Sequence, residues 1–465
     1  MFSEHHSGLL TDLYELTMAA GYVGRGLAAA ADFLDARATF ELFVRALPPR
    51  RNYLVAAGLE QVLEFLESVR FSSEDIAYLR GLPLFRRVSP RFFDYLGQFR
   101  FSGDAWALPE GSVFFPEEPL LRITAPIAEA QLVETTLLST LHFQTLIASK
   151  AARLVSAAGG RPVIEFGSRR AHGSEAGVLA ARAAFIGGCA GTSNTFAGRH
   201  FGIPAYGTQA HSWIMAHDDE AEAFRDFLEI FPEDATLLVD TYDVHAAVEK
   251  IIALGRPPSG VRLDSGDILA DSIWVRERLD RAGWKSVQIF ASGDLDEDRI
   301  AALLHDGAHL DAFGVGTSLV TSSDAPHLNV IYKLVEVEQG GQARGALKLS
   351  EAKKTYPGRK QVFRFSNPDG TYSGDLIGLE DETFPGAARL LVPALRSGKR
   401  IESPAADSAS TVRAARERSL SACERLPARI RSLAPAREPF PVHHSERLEA
   451  FFDQVRRILV KSVRI

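Results

Sequence analysis

Between Pro162 and Val320 the chain repeats one pattern: a short β-rich run, a cluster of glycine, hydroxyl or acidic residues, and then, usually, a helix-spaced segment. The runs are PVIEF, IPAYG, TLLVD, GVRLD, VQIFA and DAFGV, with helical spacing clear at Val244 to Leu254 and Ile268 to Ala282. Parallel strands need a crossover, normally a helix, so repeated βα units dictate a parallel sheet, closed as a barrel or open and doubly wound. Six units favour the barrel: an α/β fold with an irregular, TIM-like α/β barrel. Crossovers of one hand carry every strand's C-terminal end to one mouth, where barrel enzymes place their active sites.

At 465 residues the chain holds this barrel and a further domain. Residues 1–130 show no βα alternation: Ala36 to Val44 reads as a strand, Ala56 to Val69 has helical spacing, and prolines punctuate the rest, predicting an N-terminal α+β domain. Apolar residues at helical intervals from Ala128 to about Ala158 predict one long helix, stopped by Gly159-Gly160, that leads into a barrel domain over 131–335. Beyond Lys333, VEVEQGGQARGALKLS reads as a hairpin, a polar segment follows, and a helix runs from about Ser445 to Leu459. Residues 336–465 are expected to return and complete the N-terminal domain, so the second α+β domain is built from both chain ends.

Composition removes several function classes. Lys and Arg number 52 against 59 Asp and Glu, a net charge of −7, so no global positive field draws in nucleic acid. No apolar stretch approaches the roughly 20 residues that cross a bilayer. The N-terminus lacks a basic segment followed by an apolar one, so no membrane partner and no export are expected. Cys189 and Cys423 are too few for a disulfide framework or a cysteine-based zinc site, which points to the cytoplasm.

The residues just past the runs are Glu165 with Ser168, Arg169 and Arg170; Thr208 with His211; Asp240 with Asp243; Arg262 with Asp264 and Asp267; Ser292 with Asp294; and Gly314, Gly316 and Thr317. Singly, each has an ordinary structural reading: GVGT as a turn, His211 as a cap or core histidine, Asp240 or Asp243 as an N-cap, the arginines as surface ion-pair partners. Structural need alone does not place such residues at six consecutive strand ends. Glycines in SGDLDE and GVGTS allow close backbone approach to an anion. Arg169, Arg170 and Arg262 suit anionic groups, and Asp240, Asp264 and Asp267 suit a hard cation such as Mg²⁺ held partly through water. His211 offers a nitrogen that can accept a phosphoryl group; His217, six residues on, lacks the i, i+4 spacing of a zinc pair. His5, His6, His443 and His444 read as solvated terminal residues. Neither a Walker loop nor a Rossmann GxGxxG follows the first strand.

Together LTDLYELTMA (10–19), EFGSRRAHG (165–173), GTSNTFAG (191–198), YGTQAHSW (206–213), VDTYD (239–243), GVRLDSGD (260–267), GVGTSLVTS (314–322) and KLSEAKKTYPGRKQVFR (348–364) resemble the nicotinate phosphoribosyltransferase family over about residues 8 to 455. The resemblance implies an irregular α/β barrel with a domain from both chain ends. It implies that nicotinate attacks C1 of phosphoribosyl pyrophosphate, forming nicotinate mononucleotide and pyrophosphate, with Mg²⁺ as cofactor and ATP as co-substrate. His211 is then the phosphorylated histidine, and Asp264 and Asp240 are catalytic acids that meet Mg²⁺ directly or through water. Tyr14, Phe166, Arg169, Ser193, Thr208 and Arg262 bind substrate. Ser265, Gly266, Gly293, Asp294, Gly314, Gly316 and Thr317 bind phosphate. Tyr14 is the aromatic that stacks on the pyridine from a neighbouring subunit, which makes a homodimer with shared sites. A cysteine-ligated structural zinc, carried by some members, is not expected.

The nearest competing reading is the nicotinamide-using relative, in which an acid stands where this chain has Ser193; an acid repels a carboxylate ligand and a hydroxyl tolerates it. A barrel hydrolase or aldolase is less consistent, since an aldolase needs a strand-end lysine and none is present. A non-catalytic ligand sensor would be signalled by loss of His211 or the arginines, and all are retained.

Overall fold

The computed structural model describes residues 7–24, 33, 36–349, 355–401 and 408–463. His5, His6 and residues 350–354 of the KLSEAKKTYPGRKQVFR motif lie outside them. The chain divides into two units: Leu146–Pro326 with Asp407–Leu420, and Met1–Thr145 with His327–Ala406 and Ser421–Ile465.

The first of these holds a six-stranded, wholly parallel sheet in the order Gly191–Thr192, Val163–Glu165, Ala312–Val315, Gln288–Ala291, Gly260–Leu263, Thr236–Leu238. Its strands are β-branched and apolar because both faces are covered, as parallel sheets require: Leu237, Val261, Leu263, Ile289, Phe313 and Val315 are fully buried. The helices Val244–Ala253, Ile268–Arg281 and Glu297–His305 are each started by an aspartate, Asp243, Asp267 and Asp296, whose side chain accepts from a backbone N–H of the first turn. A cap of this kind contributes about 1 kcal/mol. Asp267 thus caps the Ile268–Arg281 helix through Oδ1, which accepts from Ala270 N at 3.1 Å.

IPAYG is not a full strand. Ala205 makes a single parallel bridge to Thr192, and the strand at that position is Gly191–Thr192, a two-residue segment with no apolar periodicity to announce it. No strand pairing joins the two sheet edges among the described residues, so the part of the sequence reading that the structure bears out is the parallel α/β sheet. The Pro204–Gln209 segment reaches both edges nonetheless. Tyr206 N donates to Thr192 O at 2.9 Å, and Gln209 Oε1 accepts from Leu238 N at 3.1 Å.

The other unit is built on a seven-stranded antiparallel sheet, ordered Gln342–Gly345, Val330–Gln339, Arg37–Val44, Pro119–Pro126, Asp104–Ala107, Val392–Arg396, Lys399–Arg400. A four-stranded sheet, Ala388–Arg389, Lys360–Ser366, Tyr372–Leu379, Val442–His444, takes its last strand from the C-terminal region. His444 is thus not a solvated tail residue: its ring stacks on Tyr356 at 3.9 Å. The predicted long helix is two, Ile127–Leu132 and Glu134–Ala157, interrupted at Val133. Gly159 and Gly160, at φ +58° and +88°, end the second. Among the described residues no helix is long and apolar enough to cross a membrane.

Candidate active site

Arg262 and Asp264 follow one another by two residues at the end of the Gly260–Leu263 strand, so the pleat sends both side chains to one side. There the guanidinium donates to Asp264 Oδ1, to Ser292 Oγ at 2.7 Å and to Thr208 Oγ1 at 2.8 Å, and it stands 5.7 Å from the Phe166 ring centroid. Ser292 also donates to Asp264. The other carboxylate oxygen, Asp264 Oδ2, faces His211 Nε2 at 3.8 Å, and His211 Nδ1 lies 3.2 Å from Thr241 Oγ1. Burial pushes the Asp264 carboxyl up, but the Ser292 hydrogen bond, Arg262 and His211 outweigh it and hold the group below the usual carboxylate range.

Asp240 is tied to the same cluster. Its Oδ2 accepts from Asp264 N at 3.2 Å and from the Ser265 hydroxyl. Its Oδ1 is buried and makes no hydrogen bond within the protein. A buried carboxylate oxygen with no donor is costly unless a cation or a ligand proton meets it. Among the described residues no group of three or more His, Cys, Asp or Glu side chains could hold a metal. Asp240 Oδ1 is thus the atom of this cluster that could meet a hard cation such as Mg²⁺.

Backbone geometry explains the glycines. Gly293 has φ +84°, and a Cβ on it would stand 1.7 Å from the Asp264 carbonyl oxygen, so no other residue fits beside that strand end. Asp294 continues the turn at φ +46°. A Cβ on Gly314 would come within 2.7 Å of the Phe166 ring, and the Phe166 backbone N–H donates to Val315 O at 2.8 Å. Gly316 precedes Thr317, the first residue of the short Thr317–Val320 helix. Gly266, at φ +77°, turns the chain after Ser265.

The Glu165 side chain accepts from Gly167 N and from Thr192 Oγ1 at 2.5 Å, and its carbonyl accepts from Ser193 N at 2.9 Å. It thereby joins the loop bearing Arg169 to the turn bearing Ser193. Burial raises this carboxyl, with the Thr192 and Gly167 bonds offsetting part of the rise. Arg169 and Arg170 are exposed on a 3-10 turn.

Residues 9–142 match the profile described as the nicotinate phosphoribosyltransferase N-terminal domain, and residues 162–368 that of the nicotinate phosphoribosyltransferase family. The chain is 47% identical over 451 residues to nicotinate phosphoribosyltransferase pncB2 of Mycobacterium tuberculosis, covering 96% of this chain and 93% of that one. It is 41% identical over 399 residues to the Bacillus subtilis enzyme of that name, covering 84% and 79%. The chain belongs to the nicotinate phosphoribosyltransferase family. Its fold is similar to the crystal structure of human nicotinic acid phosphoribosyltransferase, with a TM-score of 0.81, 29% identity, and 96% and 99% of the two chains covered.

The 162–368 family region carries every candidate residue of the parallel-sheet unit, and the 9–142 region carries Tyr14. Tyr14 lies on the Leu13–Gly24 helix of the other unit, 46% exposed. Burial of its hydroxyl, then Glu134 beside it, pushes its pKa well up, and the hydroxyl bonds Glu134. Sequence reasoning missed Thr241 and Gln209. Both sit inside the quoted motifs, yet neither residue type announces a role, because each acts through cross-strand neighbours.

Proposed function

We propose that this protein transfers the phosphoribosyl group of phosphoribosyl pyrophosphate to nicotinate, forming nicotinate mononucleotide in NAD salvage, in the cytoplasm, with ATP hydrolysis coupled through a phosphohistidine at His211. The observation that carries the reading is the cluster at the C-terminal ends of the Gly260–Leu263 and Thr236–Leu238 strands, where Arg262 donates to Asp264 and to Thr208, and Asp264 faces His211 at 3.8 Å, with Thr241 3.2 Å from the other ring nitrogen.

In the transfer the ring nitrogen lone pair forms the bond to C1 while the C1–O bond breaks and its electron pair leaves with pyrophosphate. C1 becomes cationic on the way, and ionised Asp264 together with Asp240 supplies negative potential where that charge develops. Arg262, held by Thr208, Ser292 and Asp264, is fixed before substrate arrives, so little reorganisation is needed. Phe166, and Tyr14 from a neighbouring subunit of a homodimer, orient the ring. The turns at Gly293–Asp294 and Gly316–Thr317, with Ser265 and Gly266, receive the phosphates. Mg²⁺ would be held by Asp240, with Asp264 near it directly or through water, and when bound it neutralises charge on the departing pyrophosphate.

For the ATP step, the tautomer in which His211 Nδ1–H donates to Thr241 Oγ1 would leave the Nε2 lone pair to attack the γ-phosphorus as ADP departs. Ser193, a hydroxyl next to the Glu165 strand end, accommodates the nicotinate carboxylate with Arg169. We read Pro204–Gln209, which touches both edge strands, as the irregular stave that completes an α/β barrel.

Incubation with phosphoribosyl pyrophosphate, Mg²⁺, ATP and each pyridine base tests this. Nicotinate mononucleotide should form, with kcat/KM for nicotinamide at least about 100-fold lower. Equal turnover of both bases would refute the Ser193 reading, and no turnover of nicotinate would refute the function.

A further inference from the structure

Apart from the Arg262–Asp264 site lies a buried charge cluster for which the transfer reaction has no use. Lys150, on the Glu134–Ala157 helix, places its ammonium on Glu297 and, at 2.8 Å, on Asp324 Oδ1, while Arg153 Nε, one turn on, donates to Glu297 Oε1 at 2.9 Å. Side-chain exposure is 2% for Lys150 and Glu297, 4% for Arg153 and 19% for Asp324. Burial pushes the Glu297 carboxyl up, but Lys150 and Arg153 overcome it and hold the group low. Two cations and two carboxylates taken out of water are a poor source of stability compared with apolar packing, so their presence calls for a role in geometry.

The partners supply that role. Glu297 is the first residue of the Glu297–His305 helix, four positions after Gly293. Asp324 lies in the turn that closes the Thr317–Val320 helix, eight positions after Gly316. That turn is itself fixed: Ser322 stands at φ +42°, its hydroxyl donates to Ala325 O at 2.9 Å, and Ser323 N donates to Ser318 O at 3.3 Å. The two glycine turns sit at the ends of adjacent strands, and each leads within a few residues to the same ammonium.

We propose that Lys150 is a positioning residue: one buried ammonium that clamps the two phosphate-binding turns at a fixed separation and so sets affinity for the pyrophosphate end of the phosphoribosyl donor. The proposal rests on the reading of those turns given above. A substitution that touches only one turn should therefore loosen both.

Asp324→Asn removes one carboxylate while keeping shape and leaving the Lys150–Glu297 pair, so the variant should fold. Hydrogen–deuterium exchange should accelerate across 292–298 as well as 316–325. Calorimetric affinity for inorganic pyrophosphate with Mg²⁺ should fall about 10- to 100-fold, a size in keeping with a displacement near 1 Å. KM for phosphoribosyl pyrophosphate should rise accordingly, with KM for nicotinate within about threefold of wild type. Lys150→Met should show the same pattern more strongly. Faster exchange confined to 316–325, or unchanged pyrophosphate affinity, would overturn the clamp. The exchange and calorimetric readouts decide this even if the protein makes no nicotinate mononucleotide, so the two readings fail separately.

Discussion

Asp264 is the residue at which burial, charge and catalysis meet. Its neighbours hold it ionised although burial opposes that, and a carboxyl depressed in the native state contributes stability that is complete above about pH 4 and is lost as pH falls through the native value. Wild type should therefore lose more unfolding free energy between about pH 5 and pH 3 than Asp264→Asn, read by urea titration at each pH. Equal losses would mean that Ser292, Arg262 and His211 do nothing for the carboxylate. At pH 7 the same variant should lower kcat by about 100-fold or more, because it removes charge where C1 becomes cationic. Arg262, Asp264 and His211 were legible as candidates, since ionisable side chains at strand ends are conspicuous. Thr241, Gln209 and Lys150 were not, because what they do depends on cross-strand and interhelical register that no local pattern encodes.

At the scale of elements, the parallel strands were legible where apolar β-branched runs met an acidic helix cap, as in TLLVD followed by Asp243 and GVRLD followed by Asp267. Gly191–Thr192 escaped because two small residues carry no periodicity, and IPAYG misled because an apolar run around proline and glycine supports only a bridge. The turn after Gln288–Ala291 shows how tightly backbone fixes the site. Gly293 combines a left-handed φ with a carbonyl oxygen in the place of a Cβ, so Gly293→Ala must displace either its own turn or the Asp264 strand end. We expect kcat/KM to fall at least about 100-fold while far-UV circular dichroism is retained. A variant with wild-type turnover would show that the turn stands clear of the reaction.

For the whole molecule, the decisive feature is that residues scattered from Phe166 to Thr317 flank one parallel sheet, whose topology delivers its C-terminal strand ends to the same side. Both chain ends contribute to the second unit, but Asp407–Leu420, expected there with the rest of 336–465, falls in the parallel-sheet unit; the pairing of Val442–His444 beside Tyr372–Leu379 was not readable, since it joins segments far apart in sequence. The most direct measurement is a crystal structure with nicotinate mononucleotide and pyrophosphate bound. The account predicts pyrophosphate oxygens on the N–H groups of the Gly293–Asp294 and Gly316–Thr317 turns, the ribose beside Asp240 and Asp264, and the pyridine carboxylate toward Ser193. Nucleotide and pyrophosphate bound away from these strand ends would contradict it.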